Sequence, residues 1–216
     1  MTNLIPGTKF VIEEKVMVNI GVLASGRGTN LQAIIEAVEE GRIKGKISIV
    51  ISDNPDAYAL KRAKQHNIET QYIDFRSFKN REDYDKEIIK SLKEKKIELV
   101  VLAGYMRILS PFFINAYKNK IMNIHPALLP SFPGLHAQRH AAEYGVKVSG
   151  CTVHFVDEGM DSGPIILQKA VEVKDNDSEE SLAERILREE HRIYPQAIQL
   201  FSQSRLIIKG RRVFIK

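Results

Sequence analysis
The sequence predicts an α/β fold: a doubly wound, mostly parallel sheet that ends in a long helix and a hairpin. Three observations carry this. Apolar stretches of strand length alternate with helical stripes from residue 16 to residue 201. Two of them, VMVNIGVLA at 16–24 and LVVLAG at 99–104, are apolar almost throughout, as strands covered on both faces must be. Between the first strand and the first helix stands SGRGTN, a glycine-rich turn of the kind that opens a strand–turn–helix unit.

Taken in order, LQAIIEAVEEGRI places Leu31, Ile34, Ile35 and Val38 on one helical stripe. KISIVISD at 46–53 is the second strand, residues 54–65 suit a helix, and 68–73 give a third strand. Ser77 is the expected N-cap of a long helix ending near Lys96, with Tyr84, Ile88, Ile89 and Leu92 inward. After the strand at 99–104, Ser110 and Pro111 open a short helix. Serine accepts from an orphan N–H of the first turn, and proline lacks the N–H that would be orphaned.

KIMNIH at 120–125 is the next strand, and Pro126 breaks it. Pro130, Pro133 and Gly134 then exclude regular structure, and a cis peptide is expected at Leu129–Pro130, where the chain doubles back. Residues 136–143 read as a short helix, and 146–156 and 164–173 as two longer strands. SEES at 178–181 starts a helix to Phe201 with Leu182, Ile186, Ile193 and Ile198 inward, and 205–215 reads as a hairpin. Neither repeat nor linker interrupts this pattern. Residues 16–216 therefore read as one domain, and 1–15 as an N-terminal extension, either an edge strand near Phe10–Ile12 or a disordered arm.

The net charge of +5 permits a nucleic-acid partner, but the basic residues are interspersed with acids, as in REDYDKEIIKSLKEKK. That is the pattern of a solvated helix face. A phosphorylated or polycarboxylate small substrate explains the excess equally well, and the basic run at 209–212 reads as a surface hairpin. No apolar run of about 18 residues or secretory signal is present, so no membrane partner is expected. Cys151 is the single cysteine, which excludes an intrachain disulfide and fits a reducing, cytoplasmic setting. It lies inside an apolar strand pattern and reads as a core residue, not a nucleophile.

Four segments offer chemistry. In Ser25–Asn30, glycine lets an anion approach the main chain at a helix N-terminus. The dinucleotide fingerprint is incomplete, because Leu31 stands where its third glycine would be, and no Walker lysine follows. The turn therefore suits a single phosphate. The second segment, Gly104–Leu109, presents Arg107 among apolar groups, where it would pair with a carboxylate of the protein or of a ligand. The third is the strand end carrying Asn123 and His125. In the fourth, DEGMDSGP at 157–164, a solvated acidic turn competes with a functional reading, and a metal site would need converging oxygens that one loop does not establish. Asp53, at the end of the second strand, mimics the ribose-binding acid of NAD proteins and keeps a nucleotide-binding module in play.

In combination the segments are specific. LASGRGTNLQAII, VVLAGYMRILSP, MNIHPALLPSFPGLHA and HFVDEGMDSGPIILQ, in this order, resemble the folate-dependent formyltransferases, and within them the glycinamide ribonucleotide transformylases. The resemblance runs from about residue 16 to 201 and implies a Rossmann-like formyltransferase fold. It also implies transfer of the formyl group of 10-formyltetrahydrofolate to the amine of glycinamide ribonucleotide, in purine biosynthesis and without a metal. Asn123, His125 and Asp161 would be catalytic, and Gly28, Thr29 and Asn30 would hold the substrate phosphate. Glu190 would contact the rest of that substrate, against the competing reading of an ordinary surface glutamate. Met106, Arg107, Ile108 and Leu109 would line the pteridine pocket with Val156, Asp157 and Met160, and Arg81 would meet the glutamate tail of the folate. Ala127 and Gln138 depart from the family's common Ser and His. The implied partners are these two substrates alone, taken by a monomer or homodimer. A formyltetrahydrofolate hydrolase, or another formyltransferase, is the alternative within the superfamily.

Overall fold
The structure is a computed structural model and describes residues 17–216; the edge strand or disordered arm expected before residue 16 lies outside the described residues. Nine strands form one sheet in the order β3-β2-β1-β4-β5-β6-β7-β9-β8. They are β1 (Val18–Leu23), β2 (Gly45–Ser52), β3 (Thr70–Tyr72), β4 (Leu99–Leu102), β5 (Ile121–His125), β6 (Val148–Phe155), β7 (Ile165–Glu172), β8 (Leu206–Lys209) and β9 (Arg212–Ile215). The first five pair in parallel, while β5–β6, β6–β7 and β8–β9 are antiparallel. The helices are α1 (Thr29–Glu39), α2 (Tyr58–Gln65), α3 (Arg81–Glu94), α4 (Pro111–Ala116), α5 (Ala137–Tyr144) and α6 (Glu179–Ser202).

The helices cover both faces because β4 is apolar on both and β1, β2 and β5 each contribute apolar residues to both. Met122 and Ile124 join the cluster packed by Ile34, Ile186 and Ile198 of α1 and α6, whereas Ile121 joins Ile88, Leu92 and Phe113 of α3 and α4 on the other face. The stripes expected for α3 and α6 are buried as read. Cys151 is fully buried in the first cluster, and burial pushes its thiol up to about 12.

Local signals held at most ends. Ser110 accepts from the Phe113 N–H with Pro111 in the first turn, and Ser178 forms a capping box with Ser181. The cap of α3 is corrected: Asn80 accepts from the Asp83 N–H, while Ser77 sits in a 3-10 turn at Phe75–Ser77. That turn starts at Asp74, which caps it locally and uses up the residues before Asn80. Leu129–Pro130 is cis. Within α6 the buried Tyr194 hydroxyl lies 2.9 Å from the Leu102 carbonyl and 2.8 Å from that of Met122, and so ties the helix to the ends of β4 and β5.

Sheet order fixes where a ligand can sit. The chain leaves β1 toward β2 and later returns to β4 on its other side, which makes the carboxyl ends of β1 and β4 a topological switch point. The loops that follow these strands meet there. The Ser25 N–H donates to the Gly104 carbonyl at 3.1 Å, and the Met106 N–H donates to Ser25 Oγ at 2.9 Å.

Candidate active site
Strand geometry builds the centre of the site. Asn123 and His125 are two residues apart on β5 and therefore share a face. Across the antiparallel ladder Asn123 pairs with His154, whose side chain emerges on that same face. The loop between β6 and β7 folds back over this face and brings Asp161, at φ 49°, to all three. Asp161 Oδ2 lies 3.2 Å from His125 Nδ1 and accepts from the Gly134 N–H at 2.8 Å. Its Oδ1 lies 3.5 Å from Asn123 Nδ2 and 3.7 Å from His154 Nε2.

The hydrogen bonds assign the protons. His125 Nε2 faces the Phe132 carbonyl at 2.8 Å and must carry a proton, because a carbonyl only accepts. Its Nδ1 faces a carboxylate, so an imidazolium satisfies both contacts. His154 Nδ1 donates to the Phe155 carbonyl at 2.8 Å, which leaves Nε2 of the neutral ring to accept from Asn123 Nδ2 at 3.3 Å. Burial lowers the pKa of His154 and holds the neutral form. Asn123 is therefore oriented by a second histidine that the sequence reading passed over. The signal was present: a polar ring inside the apolar run GCTVHFV, two residues after Thr152.

Two cavities share Arg107 and Ile108. One, of about 300 Å³, opens onto Asn123 and is walled by Tyr105, Leu109, Val156, Asp157 and Met160. The other, of about 270 Å³, runs outward past Met106, Phe75 and Tyr84 to Arg81. Met106, Ile108 and Met160 are exposed apolar groups along these walls. Every residue expected to line the pteridine pocket thus borders one or other cavity. Arg107 finds its carboxylate within the protein: Nε donates to Asp53 Oδ2 at 2.6 Å, and the guanidinium stacks on Phe75 at 4.0 Å. Asp53 is largely enclosed by that pair, which removes it as a ribose acceptor and corrects the dinucleotide-like reading. In the 157–164 loop, Asp157 accepts from the Gly159 N–H and the Ser162 hydroxyl, while Asp161 turns inward; the loop is not a solvated acidic turn.

The glycine-rich turn follows β1 and opens α1. Gly28 is the left-handed N-cap of α1 at φ 68°, and Thr29 and Asn30 form the helix's first turn. A Cβ on Gly28 would come within 2.7 Å of that of Ala59, so α2 closes against the turn. Asn30 Nδ2 donates to Glu190 Oε2 at 2.8 Å, and Asn30 Oδ1 is buried without a partner. Glu190 is 7% exposed, which overturns its reading as an ordinary surface residue. Its pKa is raised, chiefly because burial disfavours the charge and against the lowering effect of Asn30.

That shift has a testable sign. The unfolded chain releases the Glu190 proton first, so the native state is penalised progressively as pH rises above about 4.5. Glu190→Gln should therefore melt higher than the parent, by roughly 2–4 °C for each kcal/mol relieved. The gain should be larger at pH 8 than at pH 5; thermal melts at the two pH values check it.

Among the described residues, no group of three or more His, Cys, Asp or Glu is placed to hold a metal ion. No helix among them is long and apolar enough to cross a membrane.

A strand-end Asn and His, an inward carboxylate and an apolar cleft at the switch point of a parallel sheet describe a group-transfer site. Residues 18–198 match the formyl transferase family, and the chain belongs to that family. It is 47% identical over 188 residues to the phosphoribosylglycinamide formyltransferase of Escherichia coli, covering 87% of this chain and 89% of that one. It superposes on glycinamide ribonucleotide transformylase 1 from Symbiobacterium toebii with a TM-score of 0.91 at 54% identity, covering 92% and 94% of the two chains. A formyltetrahydrofolate deformylase from Pseudomonas syringae shares the fold with a TM-score of 0.86 at 26% identity, and 66% of its chain is covered. The chain spans 13% to 18% of the trifunctional purine biosynthetic proteins that it also matches.

Proposed function
We propose that this chain is a cytoplasmic phosphoribosylglycinamide formyltransferase, working as a single domain over residues 16–216. It takes the formyl group of 10-formyltetrahydrofolate to the amine of glycinamide ribonucleotide. The observation that carries this reading is the meeting of Asn123, His125 and Asp161 beside a cavity, in a chain whose glycine-rich turn caps a helix next to a buried glutamate. Asn123 borders the cavity walled by Arg107–Leu109 and Val156–Met160, and the turn at Gly28–Asn30 opens α1, where Asn30 is hydrogen-bonded to Glu190. The identities to named transferases support the transferase over the deformylase.

Attack of an amine on a formyl carbon builds an oxyanion and an ammonium in one tetrahedral species. The second N–H of Asn123, held only by a 3.5 Å contact to Asp161, donates to that oxyanion. His125 contributes its positive charge, since both ring nitrogens are already engaged by Phe132 and Asp161. Direct donation from the ring requires it to release one of them. Asp161 accepts the ammonium proton, directly or through water, and passes it toward the leaving nitrogen of the folate. At the other end, main-chain N–H groups of Gly28, Thr29 and Asn30 hold the phosphate. Glu190 and the unpartnered Asn30 Oδ1 meet the hydroxyl or amide donors of the same substrate. Arg81, on the wall of the outer cavity, meets the glutamate tail of the folate.

The test is an assay of formylglycinamide ribonucleotide against free formate, with purified protein and 10-formyltetrahydrofolate. Formyl transfer dependent on glycinamide ribonucleotide, with little formate, is the expected result. Formate release at the same rate without the amine would establish the hydrolase instead.

A further inference from the structure
α2 and the residues leading into it touch neither cavity of the folate side, yet three donors from this segment converge on the glycine-rich turn. Asn54 Nδ2 donates to the Ser25 carbonyl at 3.3 Å. The Ala59 N–H donates to the Gly26 carbonyl at 3.0 Å. Arg62 Nε donates to the Arg27 carbonyl at 2.9 Å. Three successive carbonyls of the turn are thus captured from one side.

In a trans peptide the carbonyl and the next residue's N–H point in opposite directions. Fixing the carbonyls of 25, 26 and 27 toward α2 therefore turns the N–H groups of Gly26, Arg27 and Gly28 away from it. Among the described residues none of these three N–H groups has a hydrogen-bond partner. They precede the unpaired first-turn N–H groups of α1 without a break, which is the geometry of a main-chain anion nest.

Arg62 is the member of this set with a side chain built for the task. Its guanidinium lies over the Tyr58 ring at 4.8 Å, and Nη1 donates to Gln32 Oε1 of α1 at 3.2 Å. It is thus held from both sides while Nε grips the turn. The Gly28 Cα can lie against Ala59 only because no Cβ intervenes, so the turn and α2 fit as one unit.

We propose that Arg62 is a positioning residue for the substrate phosphate. It acts not by touching the anion but by holding the Arg27 carbonyl, which aims the Gly28 N–H into the nest. This rests on the phosphate-binding role proposed for Gly28–Asn30.

The experiment measures binding of inorganic phosphate and of glycinamide ribonucleotide by titration calorimetry, alongside steady-state kinetics, for the parent, Arg62→Met and Arg62→Lys. Arg62→Met keeps the aliphatic stem, and its melting temperature reports whether the fold survives. The expected result is about tenfold weaker binding of both ligands, the loss of one well-placed hydrogen bond. KM for the nucleotide should rise by the same factor, with kcat and the folate KM unchanged. Arg62→Lys retains the charge without a planar Nε–H and should stay weakened. Full rescue by lysine would show that charge alone acts, and unchanged phosphate binding in Arg62→Met would show that the turn needs no such brace; either overturns the proposal. A parent protein that binds neither ligand overturns the nest itself. Phosphate binding that depends on Arg62, in a protein that transfers no formyl group, would leave this inference standing while the assigned reaction falls.

Discussion
Replacing Asp161 by Asn should lower turnover by roughly 10²–10⁴ while both substrates still bind, the usual range for losing a positioned proton acceptor. The carboxylate sits at the crossing of four contacts, to His125, Gly134, Asn123 and His154. An amide keeps one acceptor, and the Gly134 N–H will hold it. The amide nitrogen must then face Asn123 Nδ2, donor against donor, and the countercharge to the imidazolium is gone. The substitution thus removes the proposed base and disturbs the amide proposed to stabilise the oxyanion. Steady-state kinetics with each substrate varied check it. A variant that keeps kcat within threefold of the parent would show that Asp161 moves no proton. Asn123→Ala and His125→Ala belong to the same unit and should each cost roughly 10²–10³ in kcat. Their effects combined with Asp161→Asn should fall well short of multiplicative.

The second large effect is structural. Gly163→Ala should destabilise the fold by about 3 kcal/mol or more and depress activity further than the lost stability explains. Its backbone runs against β6, where an added Cβ would overlap the Phe155 carbonyl oxygen. The Phe155 N–H donates to the Pro164 carbonyl at 2.9 Å beside it, so relief must come from moving the strand or the loop. Moving the loop shifts Asp161, two residues earlier. Denaturant unfolding with kinetics on the residual folded protein tests this. An alanine variant of parental stability would mean that the loop yields at no cost, and that Asp161 is not held by this approach.

The strands and helices were legible because each is carried by a repeating pattern that neighbours cannot easily override. β1 and β4 read as buried from their near-continuous apolar runs, and α6 from its stripe and its serine cap. The Ser77 cap failed because two polar residues competed for one helix start, and only the local turn held by Asp74 decides between them. Asn123 and His125 stood out because polar groups at a strand end are conspicuous. His154 did not, since its role depends on the ladder register that places it opposite Asn123, and register is a tertiary property. Asp53 was legible as a strand-end acid but not as the partner of Arg107, which lies 54 residues away. Glu190 belongs with these: nothing in REEH distinguishes the buried Glu190 from the half-buried Glu189 beside it until α6 is laid against α1.

The most direct test of the two-sided site is a crystal structure of the ternary complex with glycinamide ribonucleotide and a non-reactive folate analogue. The phosphate should accept from the main-chain N–H groups of Gly28–Asn30, and the pteridine should fill the cavity beside Arg107 and Met160. The amine should lie within about 4 Å of the carbon corresponding to the formyl group, next to Asn123. A phosphate bound away from the Gly28–Asn30 turn, or an amine on the far side of β5 from Asn123, would contradict it.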